Sequence, residues 1–190
     1  LGKITGNKEF TTNKDTGEDY FGTVDIFISY GWHGTSLGNL KQAIEFFQVS
    51  KQEDVKHNNS GCSNIPQYFW IDIFAIAQNR DTPERKAANA ADVSAFADVV
   101  QASEATALYW SPFAHPAVLG RVWCLYEILE THKAGNNLEL LLEPDVRKEL
   151  LESIAKDYGR SLCFLVEGQS SVNAASTYEN DWCRIHTSIE

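Results

Sequence analysis

What most restricts the fold of this chain is a repeated switch between two hydrophobic periods. Val24-Asp25-Ile26-Phe27-Ile28-Ser29-Tyr30 is β-branched and aromatic and lies between Gly22 and Gly31, as a strand should. Leu37, Leu40, Ile44 and Phe47 then recur at the spacing of a helix with one buried face. The polar stretch from Lys51 to Pro66 gives way to Gln67-Tyr68-Phe69-Trp70-Ile71-Asp72-Ile73-Phe74, too uninterruptedly apolar for a half-solvated strand, so a central place in a sheet is expected. Thr82-Pro83-Glu84 starts a helix, with Thr as N-cap, Pro at the first helical position and an acid in the first turn. That helix is expected to bury Val93, Phe96, Ala97 and Val100.

The alternation continues to the end of the chain. Ala105 to Trp110 reads as a third strand, closed by Ser111-Pro112, and Arg121 to Lys133 as a helix with Val122, Leu125, Leu129 and His132 on its inward stripe. Gly135 is its expected C-cap. Leu138–Leu142, Pro144–Tyr158, Ser161–Val166 and Ser171–Ile185 read as strand, helix, strand and helix. Successive parallel strands need crossover helices, so this order predicts an α/β domain with a five-stranded parallel sheet covered on both faces. Ligands in such sheets sit beyond the carboxyl ends of the strands, which directs attention to the loops Tyr30–Ser36, Phe74–Thr82 and Ser111–Gly120.

Composition narrows the task. A chain of 190 residues suits one domain, residues 24–190, behind a polar lead-in of residues 1–23. A formal charge of -10 repels phosphate backbones and anionic lipid, which argues against nucleic-acid or membrane partners. No run has the length of a membrane span, and the lead-in lacks the apolar segment of a signal peptide. The four cysteines form no C-x-x-C pair and read as thiols of a reducing, cytoplasmic compartment. The histidines form no metal-binding pattern, and there is no Walker or G-x-G-x-x-G loop, so neither a metal nor a bound cofactor is expected. A start at Leu1 and the absence of methionine suggest a piece of a longer polypeptide with further domains.

Gly34-Thr35-Ser36-Leu37-Gly38 matches the G-x-S-x-G of a nucleophile elbow. An elbow turns directly off its strand, whereas here a loop separates Tyr30 from Ser36, and Ser36 reads better as the N-cap of the helix beginning at Leu37.

The most informative segment is Arg121-Val122-Trp123-Cys124-Leu125-Tyr126-Glu127-Ile128. Trp123 and Glu127 stand one helical turn apart on one side, an apolar platform beside a negative charge. Such a pair suits a cationic heteroaromatic ring and the sugar cation it leaves behind. The plainer reading places Trp123 in the core and Glu127 in solvent.

Four blocks, Asp25-Ile26-Phe27-Ile28-Ser29-Tyr30, Trp70-Ile71-Asp72, Tyr109-Trp110-Ser111-Pro112 and Trp123-Cys124-Leu125-Tyr126-Glu127-Ile128, resemble in order and spacing the signature segments of Toll/interleukin-1 receptor (TIR) domains. Tyr68 to Gln78, with Glu84-Arg85 after it, also resembles the related heterokaryon-incompatibility-type domains. The likeness covers Val24 to Ala134 well and the last third only by element order.

This resemblance implies a flavodoxin-like three-layer sandwich. It also implies cleavage of NAD as substrate to nicotinamide and ADP-ribose, linear or cyclic, in immune or cell-death signalling, with Glu127 matching the catalytic glutamate. Tyr30, Gly31, Trp32, Asp72, Ile73, Ser111 and Trp123 fall at or beside positions that border the substrate. Several NAD-cleaving members carry Arg where this chain has Gly31, and Trp32, His33 or Arg80 are candidates to replace that contact. Other members only self-associate as signalling modules, here through the segment Ala75–Thr82 and helix faces. A nucleoside deoxyribosyltransferase-like enzyme is the third alternative.

Overall fold

The computed structural model describes residues 17, 22–58, 65–76, 81–87, 95–158, 174–175 and 185. Ile26–Ser29 (β1) and Ala105–Tyr109 (β3) are buried at every position and pair in parallel, Ile26 opposite Ala105 and Ser29 opposite Leu108. Phe69–Trp70 (β2) flanks β1, and Asn137–Leu141 (β4) flanks β3, giving the order β2-β1-β3-β4 with all neighbours parallel. Four strands are therefore present among the described residues where five are expected. The expected strand Ser161–Val166 and most of the last helix lie outside those residues, as do Val93 and Arg80.

The period of two along the strands divides the core between the faces. Ile26, Ile28, Ala105, Ala107 and Tyr109 pack with Leu40, Ala43 and Phe47 of the helix Leu37–Asn58 (α1). On the other face Phe27 meets Phe96 and Val100 of the helix Phe96–Ala102 (α3). There Leu108 and Trp110 meet Cys124 of the helix Val122–Ala134 (α4) and Leu150 of the helix Pro144–Lys156 (α5). Ser36 caps α1, its Oγ accepting the backbone N–H of Asn39 at 3.0 Å and donating to Asn39 Oδ1 at 2.8 Å. The hydroxyl is occupied as a cap, which disposes of the nucleophile-elbow match. Thr82 likewise accepts the backbone N–H of Arg85 at 3.3 Å, as its N-cap pattern requires. Gly135 ends α4 at φ 73°, where a side chain is strained.

Two expectations are corrected. The apolar run Gln67–Phe74 is not a central strand: β2 keeps two residues of it at the sheet edge, and Asp72–Ala75 (α2) turns into a helical turn. Trp70 still stacks on Phe27 at 4.7 Å, but Ile73 and Phe74 emerge 41% and 74% exposed. Asp72 is the cause: a carboxylate is poorly placed in an interior strand, and here it has partners beyond the end of β1.

The inward face of α4 is the second correction. His132 is exposed and Leu125 and Leu129 are only half-buried, whereas Val122, Cys124, Glu127, Glu130 and Thr131 are buried. Polar residues go inside because hydroxyls across the layers pair. Thr131 Oγ1 donates to the Glu127 carbonyl at 2.7 Å, so its contact with Thr106 Oγ1 at 2.6 Å is donated by Thr106. That ladder brings the Cys124–Glu127–Thr131 side of α4 against β1 and β3.

Candidate active site

Pairing of β1 with β2 aligns their carboxyl ends, and Asp72 gathers the side chains that leave β1. Tyr30 Oη donates to Asp72 Oδ1 at 2.6 Å and Trp32 Nε1 donates to Asp72 Oδ2 at 2.8 Å. Both carboxylate oxygens are thus occupied, and Trp32, though 42% exposed, is held by its indole nitrogen. Arg121, the N-cap residue of α4, crosses from the other side. Its Nη1 donates to the Tyr30 carbonyl at 3.2 Å, and its guanidinium lies over the Trp32 ring at 4.9 Å. The Cys124 thiol makes a long contact with the same carbonyl at 3.5 Å. Behind Arg121, Val122 donates its backbone N–H to the Ala175 carbonyl at 3.0 Å and Ala175 donates to Gly120 at 2.8 Å, which fixes the start of α4.

Glu127 sits one turn further along α4. It is 6% exposed, and its Oε2 is buried without a hydrogen-bond partner. Burial pushes its pKa up to about 8; the Ser29 hydroxyl facing it and Arg121 act against the rise, and the charge of Asp72 adds to it. Neighbouring Glu130, equally buried, shows what a satisfied carboxylate looks like on this helix. Lys133 Nζ lies 2.8 Å from its Oε1, and Gln101 Nε2 donates to its Oε2 at 3.3 Å. Burial also drives the Cys124 thiol far up, as does the nearby Glu127, and drives the Tyr30 phenol up with help from its bond to Asp72. Cys124 and Tyr30 therefore stay protonated and serve as donors, not nucleophiles.

Tyr30, Trp32, Asp72 and Glu127 are thus brought together. Ile73 follows Asp72, its side chain exposed and its backbone N–H facing the Tyr30 oxygen. Ser111 lies in a different cluster: its Oγ donates to Glu143 Oε1 at 3.2 Å, beside Tyr109 Oη, which donates to the same oxygen at 2.5 Å. Burial and that carboxylate push the Tyr109 phenol up to about 12. Trp123 packs on the α3 side of α4, 5.6 Å from the Phe96 ring and 6.0 Å from Tyr126, both edge-on. Residues four apart on a helix share only part of an arc, and α3 claims this part of it for an aromatic cluster. His33 is exposed in the loop after β1.

Gly31 has a steric role. A Cβ there would stand 2.6 Å from Ala117 Cβ and 2.9 Å from its backbone carbon, so no side chain fits. Gly31→Ala should lower stability by about 1–3 kcal/mol, read as a fall in the denaturation midpoint; an unchanged midpoint would show that Ala117 yields freely. A longer side chain such as Arg is excluded there for the same reason, and Arg121 brings a guanidinium to that corner from α4. Sequence reasoning missed Arg121, Ser29 and Cys124. The available signal was Arg121 two positions before Trp123, in a chain lacking a Lys or Arg just after its first strand.

Among the described residues no group of His, Cys, Asp and Glu is arranged to hold a metal ion, and no helix is long and apolar enough to cross a membrane. No family model, curated protein or solved structure matches the chain.

Proposed function

We propose that this chain is a TIR-type domain that cleaves the bond between nicotinamide and ribose in NAD, with Glu127 as the reacting carboxyl. One observation carries the reading: a buried carboxyl with an unpartnered oxygen at the carboxyl end of a parallel sheet. Such a group costs the fold stability, since burial disfavours its charge and Ser29 and Arg121 only partly repay the lost hydration. Sites retained at that expense are where chemistry is done. The strand order β2-β1-β3-β4 supports a flavodoxin-like sheet.

The chemistry follows from charge. Nicotinamide in NAD is already a pyridinium, so it leaves without being protonated. The electron pair of the glycosidic bond goes to the ring nitrogen, and the ribosyl carbon becomes an oxocarbenium-like cation. A cation next to Glu127 favours its ionised form, so substrate binding expels the proton the resting carboxyl holds, and the carboxylate stabilises the developing charge. Water adding to the ribosyl carbon gives ADP-ribose and releases one proton; an internal ring nitrogen adding instead gives the cyclic product. In this reading Arg121 meets the anionic diphosphate, with Tyr30 and Trp32, held by Asp72, beside it. Nicotinamide release from NAD by the purified domain at high protein concentration, against Glu127→Ala, tests the reading. Equal release from the two proteins, or none from an assembled wild type, refutes it.

A self-association role has its own support in Phe74, a large apolar side chain 74% exposed beside Ile73, directly before the segment Ala75–Thr82. If assembly is the output, Phe74→Ser lowers the self-associated fraction in sedimentation while Glu127→Ala leaves it unchanged. A monomeric wild type at high concentration removes this alternative.

A further inference from the structure

Ser29 ends β1 on the face that receives α4, and its buried hydroxyl faces the Glu127 carboxyl and the Cys124 thiol without full hydrogen-bond geometry to either. Buried hydroxyls nearly always find a partner, and nearby ones here do. Thr106 donates to Thr131, Thr131 to the Glu127 carbonyl, and Ser103 to the Val100 carbonyl at 2.7 Å. Among the described residues the buried polar side-chain atoms left unpaired are Ser29 Oγ and Glu127 Oε2, and they belong to groups that face each other across the β1–α4 interface.

We infer that Ser29 is a positioning residue for Glu127: its hydroxyl, which faces that carboxyl without full hydrogen-bond geometry, donates to the carboxylate once Glu127 loses its proton, holding that group in one orientation toward the sugar. The role in orienting the carboxylate for reaction rests on the proposed NAD cleavage, whereas the hydrogen bond itself does not. A serine suits the task because its hydroxyl rotates freely and can donate to an anion or accept from a neutral acid. The other groups acting on Glu127 are already engaged. Asp72 is occupied by Tyr30 and Trp32, Arg121 by the Tyr30 carbonyl and the Trp32 ring, and Cys124 lies against that same carbonyl. From α3 the contacts to this side of the sheet are the apolar Phe96 and Val100, while its Asp98 is exposed. Ser29 is thus the neutral donor left to answer the ionisation.

The test is a carbon-detected NMR titration of the Glu127 carboxyl in the full 190-residue chain, with Ser29→Ala, Ser29→Thr and Ser29→Cys compared to wild type. A hydrogen bond to an ionised group should hold the midpoint down, so Ser29→Ala is expected to raise it by about one pH unit. Ser29→Thr, which keeps the hydroxyl, should titrate like wild type, and Ser29→Cys, a weaker donor, should fall between. The pH profile of nicotinamide release should move with the midpoint. An unchanged midpoint in Ser29→Ala overturns the inference even if that variant is less active; should it fail to fold, an unchanged midpoint in Ser29→Cys overturns it equally. Wild type that titrates as described but releases no nicotinamide refutes the NAD reading alone.

Discussion

Nicotinamide release from NAD is expected to fall by about 10²–10⁴-fold in Glu127→Ala, the range found when a preorganised group facing developing charge is removed. Glu127→Gln should fall almost as far, because the amide matches the carboxyl in shape but cannot become an anion. The two variants together separate charge from packing. Should Glu127→Gln keep more than about a tenth of wild-type release, the carboxylate is not the stabilising charge, since losing that tenfold corresponds to only about 1.4 kcal/mol of barrier. The pH profile gives a second reading of the same group. In free enzyme the ionised fraction grows as pH approaches about 8, so activity at limiting NAD should rise through that region in wild type and show no such limb in Glu127→Gln.

Stability should respond in the opposite sense. The Glu127 carboxyl titrates near 4.5 in the unfolded chain and near 8 in the folded one. Below 4.5 both states hold the proton and no penalty exists. Between 4.5 and 8 the unfolded chain releases the proton while the folded one keeps it, so stability drains away as pH rises, and above 8 the loss is complete. The drain is on the order of a few kcal/mol. Glu127→Gln has no proton to release, so its stability relative to wild type should climb from pH 5 to pH 8, a Tm gain of several degrees for a chain of this size. At pH 5 the variant should be no better than wild type. Thermal melts across this range check the effect, and a pH-independent difference would mean that Glu127 titrates as an ordinary exposed acid. A fold more stable without the group, joined to a loss of activity, is the trade-off expected of a reacting residue.

The legible part of the fold was set by local rules. The strand compositions at Ile26–Ser29 and Ala105–Tyr109, the caps at Ser36 and Thr82, and Gly135 closing α4 depend on residues within a few positions of one another. The parallel order followed because crossovers need helices. The inward face of α4 was not legible, because periodicity assumes that apolar residues go in. Thr106 donates to Thr131 across two layers, and this pairing turns Glu127 inward where Leu125, Leu129 and His132 are expected.

Spacing alone determines that Glu127 and Trp123 occupy one helix behind a third strand, and the alternation of strands and helices points to the loops beyond the strand ends. Tertiary structure decided their company. It gave Asp72 to Tyr30 and Trp32, set Arg121 over the indole, sent Trp123 to Phe96 and Ser111 to Glu143, and left Glu127 buried without a counterpart for its Oε2. The physical reason is range: helix and strand periods are read over a few residues, whereas the desolvation of a carboxyl depends on every element that closes around it.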